Sequence, residues 1–191
     1  MTMSDKVKLI KVAGGVLIAA SATVGTILTK WEPAKNDPGI VYADKLAGGL
    51  PTVCNGITRH ITSAPVIVGQ RWTPERCAQE EGAAIEKVQQ QLAKCFTRTP
   101  PQIVFDMATS HAWNNGAANT CSSLAMVSWN EGLWEQGCRR LSLSDDGRPV
   151  WSFARTGRIL PNGKPEMRFV QGLANRRADE TATCLAGLPT P

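Results

Sequence analysis

What this 191-residue chain has little of removes several classes of function. Only two histidines occur, His60 and His111, and none of the six cysteines (Cys54, Cys77, Cys95, Cys121, Cys138 and Cys184) stands in a CxxC pair. Structural metal sites need thiolate or imidazole ligands at short, repeated spacing, so neither a metal nor a cofactor is expected. Lysine and arginine form no run, and they are not interleaved with aromatics along the sequence; Arg139-Arg140 and Arg176-Arg177 are isolated pairs. Nucleic acid is therefore set aside as a partner, even though the net charge is +5 and the pI is near 9.0. That charge suits a membrane surface or a cell-wall polymer, or serves solubility alone. No internal repeat or low-complexity run is present.

One uncharged stretch stands out. Residues 1–11 are polar and lysine-biased, with Lys6, Lys8 and Lys11 against Asp5; residues 12–29 carry no charge, and Lys30 closes them. Eighteen residues is near the lower limit for a membrane-spanning helix. The positive bias ahead of it predicts an N-terminus inside and everything from Trp31 outside. Its strong apolar residues are Val12, Val16, Leu17, Ile18, Val24, Ile27 and Leu28, diluted by glycine, alanine, serine and threonine. At about −0.3 to −0.6 kcal/mol each they supply roughly −2 to −4 kcal/mol, so insertion is marginal. Ala20-Ser21-Ala22 also satisfies the small-residue rule for signal-peptide cleavage.

An even cysteine count behind an export segment favours up to three disulfides in an oxidising compartment. Six cysteines allow fifteen pairings. One link is excluded: Cys77 and Cys95 fall near opposite ends of one expected helix, roughly 27 Å apart at ~1.5 Å rise per residue, far beyond disulfide reach.

Periodicity and capping residues set out the rest. The apolar patches 39–42 and 50–57, broken by turn residues, read as a small irregular hairpin. Pro65-Val66-Ile67-Val68 reads as a short strand. Thr73-Pro74-Glu75 starts a helix that runs to about Lys94, and Thr99-Pro100-Pro101-Gln102 starts another that ends at Asn115-Gly116. Shorter helices follow over 122–129 and 133–141, then a turn at 145–149. Residues 151–156 are expected to pack on the helices, a second turn falls at Asn162-Gly163, and a last helix covers 169–185. The expected class is α+β: a hydrophobic N-terminal helix, a small β-hairpin lobe and a mainly helical lobe, with a groove for a polymer. The domain division is an anchor over 1–30 and a globular domain over 31–191.

The chemistry is expected in residues 31–58. Glu32 stands at the end of the apolar segment and Asp44 on the hairpin. Two carboxylates so placed can protonate a glycosidic oxygen and support attack at the sugar carbon. Tyr42-Ala43-Asp44, Gly48-Gly49, Pro51-Thr52-Val53-Cys54 and Gly56-Ile57-Thr58 resemble the active-site segment of phage lysozymes of glycoside hydrolase family 24. His111-Ala112-Trp113-Asn114 with Gly116, and Gly172-Leu173-Ala174-Asn175-Arg176-Arg177 with Glu180, resemble that family's helical lobe. The resemblance implies a muramidase that cleaves the β-1,4 bond between N-acetylmuramic acid and N-acetylglucosamine in peptidoglycan and lyses the host cell. Glu32 would be its general acid, with Asp44 and Thr52 arranging the water.

The spacing departs from the family's. Eleven residues separate Glu32 from Asp44, and seven separate Asp44 from Thr52, both longer than the family's usual intervals. Glu32 is thus assigned by position, with Asp37 as its rival. Cys54, His60, His111 and the 175–180 group are read as structural or helix-surface residues. By the same resemblance, the N-terminal segment is a releasable anchor that tethers the enzyme to the inner membrane and later frees it, as a monomer, into the periplasm; a cleaved signal peptide and a permanent anchor are the other readings. A lytic transglycosylase, or an inactive anchored wall-binding protein, are the alternatives for function.

Overall fold

The computed structural model describes residues 7–31, 39–45 and 47–190. The fold is mixed α+β, and the chain divides into two compact units, residues 1–94 and 95–191.

The first unit begins with a correction. In place of one apolar helix over 12–29, an antiparallel hairpin, β1 (Leu9–Val12) and β2 (Gly15–Ile18), is followed by a ten-residue helix, α1 (Ala22–Trp31). The turn explains it. Ala13 and Gly14 both take positive φ (45° and 88°) between the paired residues Val12 and Gly15, which makes the two-residue turn whose twist matches a hairpin. Alternation buries Val12 and Leu17 and leaves Leu9, Lys11, Val16 and Ile18 outward. Ser21 caps α1, its hydroxyl accepting the Val24 N–H at 3.3 Å, and Val24, Ile27 and Leu28 form the helix's buried stripe at i, i+3, i+4 spacing. Among the described residues no helix is long and apolar enough to cross a membrane.

The three-stranded sheet β3 (Tyr42–Asp44), β4 (Leu50–Val53) and β5 (Ile57–Thr58) is antiparallel, in sequence order. Its neighbour is α2 (Pro74–Ala93), where Thr73 caps as expected and accepts the Arg76 N–H at 3.2 Å. The β4–β5 turn is tied to α2 twice. Cys54 and Cys77 form a disulfide with Cα atoms 5.7 Å apart, and Glu81 Oε1 accepts the Asn55 N–H at 2.7 Å. The first hairpin is tied there too: Gln89 Oε1 accepts the Ala20 N–H at 3.0 Å, and Lys8 pairs with Glu86 at 2.5 Å. No strand forms at 65–68; Ile67 and Val68 are exposed, and the segment after them, at Arg71, bridges Ile40 instead.

The second unit is built around α3 (Gln102–Asn115), where nine consecutive residues from Val104 to Ala112 are buried. Such all-round burial requires neighbours on every face. Helix neighbours come from α4 (Ala117–Cys121) and α7 (Gln171–Ala186), with α5 (Leu124–Glu131) and α6 (Trp134–Arg139) packed on each other and α6 on α7. Gly132 ends α5 in the left-handed conformation (φ 82°), as its position suggested. Disulfides join Cys95 to Cys121 and Cys138 to Cys184. A second hairpin, β6 (Phe153–Ile159) and β7 (Pro165–Phe169), stands where the sequence suggested only packing and a turn.

Burial of α1 in the first unit has a measurable consequence. Leu28→Ala removes a side chain only 2% exposed and should lower unfolding free energy by about 2–5 kcal/mol, read from urea titration of the purified protein.

Candidate active site

The β3–β4 hairpin sets the position of two of the three expected site residues. Asp44 ends β3 opposite Leu50, while Thr52 on β4 lies opposite Tyr42 and, on its other side, Thr58. Directly opposed residues of an antiparallel pair share a face, and so do residues two apart. Asp44, Tyr42, Thr52, Leu50 and Thr58 therefore lie on one face of the sheet, and Asp44 and Thr52 are diagonal neighbours, roughly 7–8 Å apart across the strand pair.

The loop holds this register. The Asp44 carbonyl accepts N–H groups from Ala47 at 3.1 Å and Gly49 at 2.7 Å, and Gly48 and Gly49 both take positive φ (67° and 84°). Side chains with a Cβ disfavour that conformation, so the glycine pair is what lets the insertion fold into a tight loop without shifting Thr52 to the other face. Asp44 is half-buried, whereas Thr52 is 4% exposed. The Thr52 hydroxyl donates to the Leu50 carbonyl at 3.0 Å, which leaves its oxygen lone pairs as acceptors that could orient a water.

Glu32 and Asp37 lie outside the described residues. Of the residues that flank them, α1 runs to Trp31, whose ring has the Lys30 ammonium 5.5 Å from its centroid, and Gly39 is the next described residue. Cys54 is a half-cystine, not a free thiol. It lines a cavity of about 300 Å³ with Asn55, Arg71, Trp72 and Glu81, which neither Asp44 nor Thr52 touches. Among the described residues no cluster of three or more His, Cys, Asp or Glu side chains is placed to hold a metal ion.

The second unit contains a polar cluster that the sequence assigns to helix surface and lobe packing. Asn175 is exposed, but Arg176, Arg177 and Glu180 are 3%, 0% and 0% exposed. Glu180 Oε1 accepts from Ser110 Oγ at 2.6 Å, Arg177 Nη2 at 2.7 Å and Arg176 Nε at 3.2 Å, and Arg176 Nη2 reaches the Ser110 carbonyl at 3.3 Å. The i, i+3 and i, i+4 spacing of the two arginines to Glu180 was the available signal for pairing. Its burial could not be read without α3 in place. Burial pushes the Glu180 carboxyl up, against the pull of the two guanidiniums and the Ser110 hydroxyl.

His111 belongs to the same packed region. The Thr120 hydroxyl donates to the Gly116 carbonyl at 3.2 Å, so its oxygen accepts from His111 Nδ1–H at 2.8 Å, and the imidazole meets the Trp151 ring edge-on at 4.8 Å. Burial, reinforced by Arg177 and Arg176, holds its pKa well below the usual 6.5. It is a neutral structural residue, in line with its reading from the sequence.

The sequence pattern described as phage lysozyme matches residues 35–180. The chain belongs to the phage lysozyme family. Its substrate class is therefore peptidoglycan and its chemistry glycoside hydrolysis. The matched span contains Asp44 and Thr52 and starts after Glu32. No curated protein matches the chain by sequence. Among solved structures, the endolysin from Escherichia coli O157:H7 phage FAHEc1 is 22% identical with a TM-score of 0.68, covering 90% of this chain and 96% of that one. The muramidase domain of SpmX from Asticaccaulis excentricus is 20% identical with a TM-score of 0.64, covering 90% and 97%. A mutant lysozyme of phage P22 is 17% identical with a TM-score of 0.60, covering 86% and 97%. At these identities the likeness establishes the lysozyme fold.

The state of His111 predicts how this lysozyme responds to acid. Its folded pKa lies below the unfolded value of 6.5, so stability is flat in this group above about pH 6.5. It falls by up to about 1.4 kcal/mol per pH unit as the unfolded imidazole protonates below that. Glu180, with its pKa raised, has the opposite sign above the usual carboxylate range. Comparing urea unfolding of wild type and His111→Gln from pH 7 to pH 5 isolates the histidine: the variant should be less stable throughout and show a shallower slope.

Proposed function

We propose that this lysozyme is a phage endolysin that acts as a muramidase, cleaving the β-1,4 bond between N-acetylmuramic acid and N-acetylglucosamine. Glu32 is the general acid that protonates the leaving oxygen. Asp44 supports the positive charge that develops on the sugar or activates the attacking water, and Thr52 orients that water. The observation that carries the reading is the shared sheet face of Asp44 and Thr52, kept in register despite the lengthened loop. The end of α1 at Trp31 supports Glu32 by leading the chain directly to it.

The N-terminal segment is assigned as a releasable anchor, tethered to the inner membrane first and periplasmic later. Its support is that Val12, Leu17, Val24, Ile27 and Leu28, the residues that would face lipid, are buried in the first unit. Lipid and this core are alternative refuges for the same side chains, and marginal insertion energy makes exchange between them feasible. Sequencing the N-terminus of the mature protein tests the assignment. An intact start is expected, and a start near Thr23 would remove the anchor.

The catalytic assignment is tested on chloroform-treated Gram-negative cells. Glu32→Gln should slow lysis by about 10²–10⁴-fold, while Asp37→Asn should lyse as wild type does. The converse result would transfer the acid role to Asp37. Mass spectrometry of the released muropeptides should show a reducing end. An anhydro sugar would make the enzyme a lytic transglycosylase, and binding without release of soluble fragments would make it an inactive wall-binding protein.

A further inference from the structure

The hairpin β6–β7 pairs with no other described strand. A two-stranded ribbon is marginal in water unless one of its faces is covered. Its register sets Phe153 opposite Phe169 and Arg155 opposite Met167, which puts all four on one face. The two phenylalanine rings meet edge-on at 5.7 Å, yet Phe153, Phe169 and Met167 remain 42%, 46% and 49% exposed. Towards the turn, Ile159 is 67% exposed and Leu160 38%. At the base, Phe153 opens on a cavity of about 410 Å³ lined also by Leu124, Leu143, Val150, Trp151 and Arg140. An apolar strip thus runs from the helices of the second unit to the tip of the hairpin and is exposed among the described residues.

Charge frames this strip. The 17 residues from Phe153 to Phe169 hold Arg155, Arg158, Lys164 and Arg168 against one carboxylate, a net +3 of the chain's +5. That carboxylate, Glu166, is engaged within the hairpin by the Thr156 hydroxyl at 2.6 Å and by Arg158 at 3.9 Å. A second copy of the hairpin would bring like charges together. A polysaccharide would use the cations and leave Ile159, Leu160 and Met167 in water. An anionic phospholipid surface uses both, since cations sit among the phosphates while apolar side chains enter the headgroup–acyl boundary.

We propose that β6–β7 docks the protein on an anionic phospholipid bilayer, with Phe153, Met167, Phe169 and the Ile159-Leu160 tip inserted, Arg155 on lipid phosphates at that face and Lys164 at the turn, while Arg158 and Arg168, on the opposite face with Glu166, add only longer-range attraction. The proposal does not depend on the glycosidase assignment, because its test reads lipid binding. The full chain is sedimented with vesicles of phosphatidylethanolamine and phosphatidylglycerol, and with phosphatidylcholine vesicles as control. Binding should require phosphatidylglycerol and fall with added salt, and hydrogen exchange of the bound wild type should slow across residues 153–169. Arg155→Gln with Lys164→Gln should weaken binding on the order of 25-fold, about fivefold for each cation. Ile159→Ser with Met167→Ser should weaken it at least tenfold, with circular dichroism and hydrolysis of isolated sacculi unchanged. Protection confined to residues 9–31, binding indifferent to phosphatidylglycerol, or variants that bind as wild type does would each overturn the proposal. So would a hairpin-dependent dimer, or hairpin-dependent retention on purified peptidoglycan without vesicle binding.

Discussion

The need to keep about half a dozen apolar side chains of the first thirty residues out of water constrains the whole first unit. Val12, Leu17, Val24, Ile27 and Leu28 are buried there, and each fully buried side chain of this kind is worth roughly 1.5–3 kcal/mol. Their burial fixes α1, and α1 ends at Trp31, directly before the proposed acid. Polar contacts set the direction of docking: Gln89 receives the Ala20 N–H, and Glu86 receives Lys8. The proposed acid at position 32 thus depends on a hydrophobic interaction made upstream of it.

The sheet carries the other half of the proposed machinery by a different rule. Register on a pleated sheet is all or nothing, because a slip of one residue would turn Thr52 to the opposite face from Asp44. The Gly48-Gly49 loop absorbs the added residues, while the disulfide to Cys77 and the Asn55–Glu81 bond hold the far end of β4. The residues that lengthen the Asp44–Thr52 interval are therefore confined to that loop.

Much of this was legible in the sequence, where a local signal has a local cause. Thr73-Pro74 announced α2, Gly116 and Gly132 closed α3 and α5, and Asp44 and Thr52 could be placed on one hairpin from turn residues alone. The hairpin in the N-terminal segment was not legible, because hydropathy counts apolar residues without regard to their partners. Its Ala13-Gly14 turn and the alternation of Val12 and Leu17 are hairpin signals only once a core exists to face. The burial of Arg176, Arg177 and Glu180 was equally hidden, since amphipathic periodicity places charges outside unless another helix closes over them. The basic–apolar face of β6–β7 is created by cross-strand pairing: Phe153 and Phe169 are distant along the chain, and no linear scan brings them together.

The three disulfides have a consequence for how the protein is made. Cys54 joins Cys77, Cys95 joins Cys121, and Cys138 joins Cys184, so each thiol bonds to the next one along the chain and no loop crosses another. Of the fifteen arrangements open to six cysteines, this is the one that oxidation from the N-terminus yields if every thiol takes the first partner to emerge. A chain threaded into an oxidising compartment from that end meets the partners of its native cross-links in order of appearance.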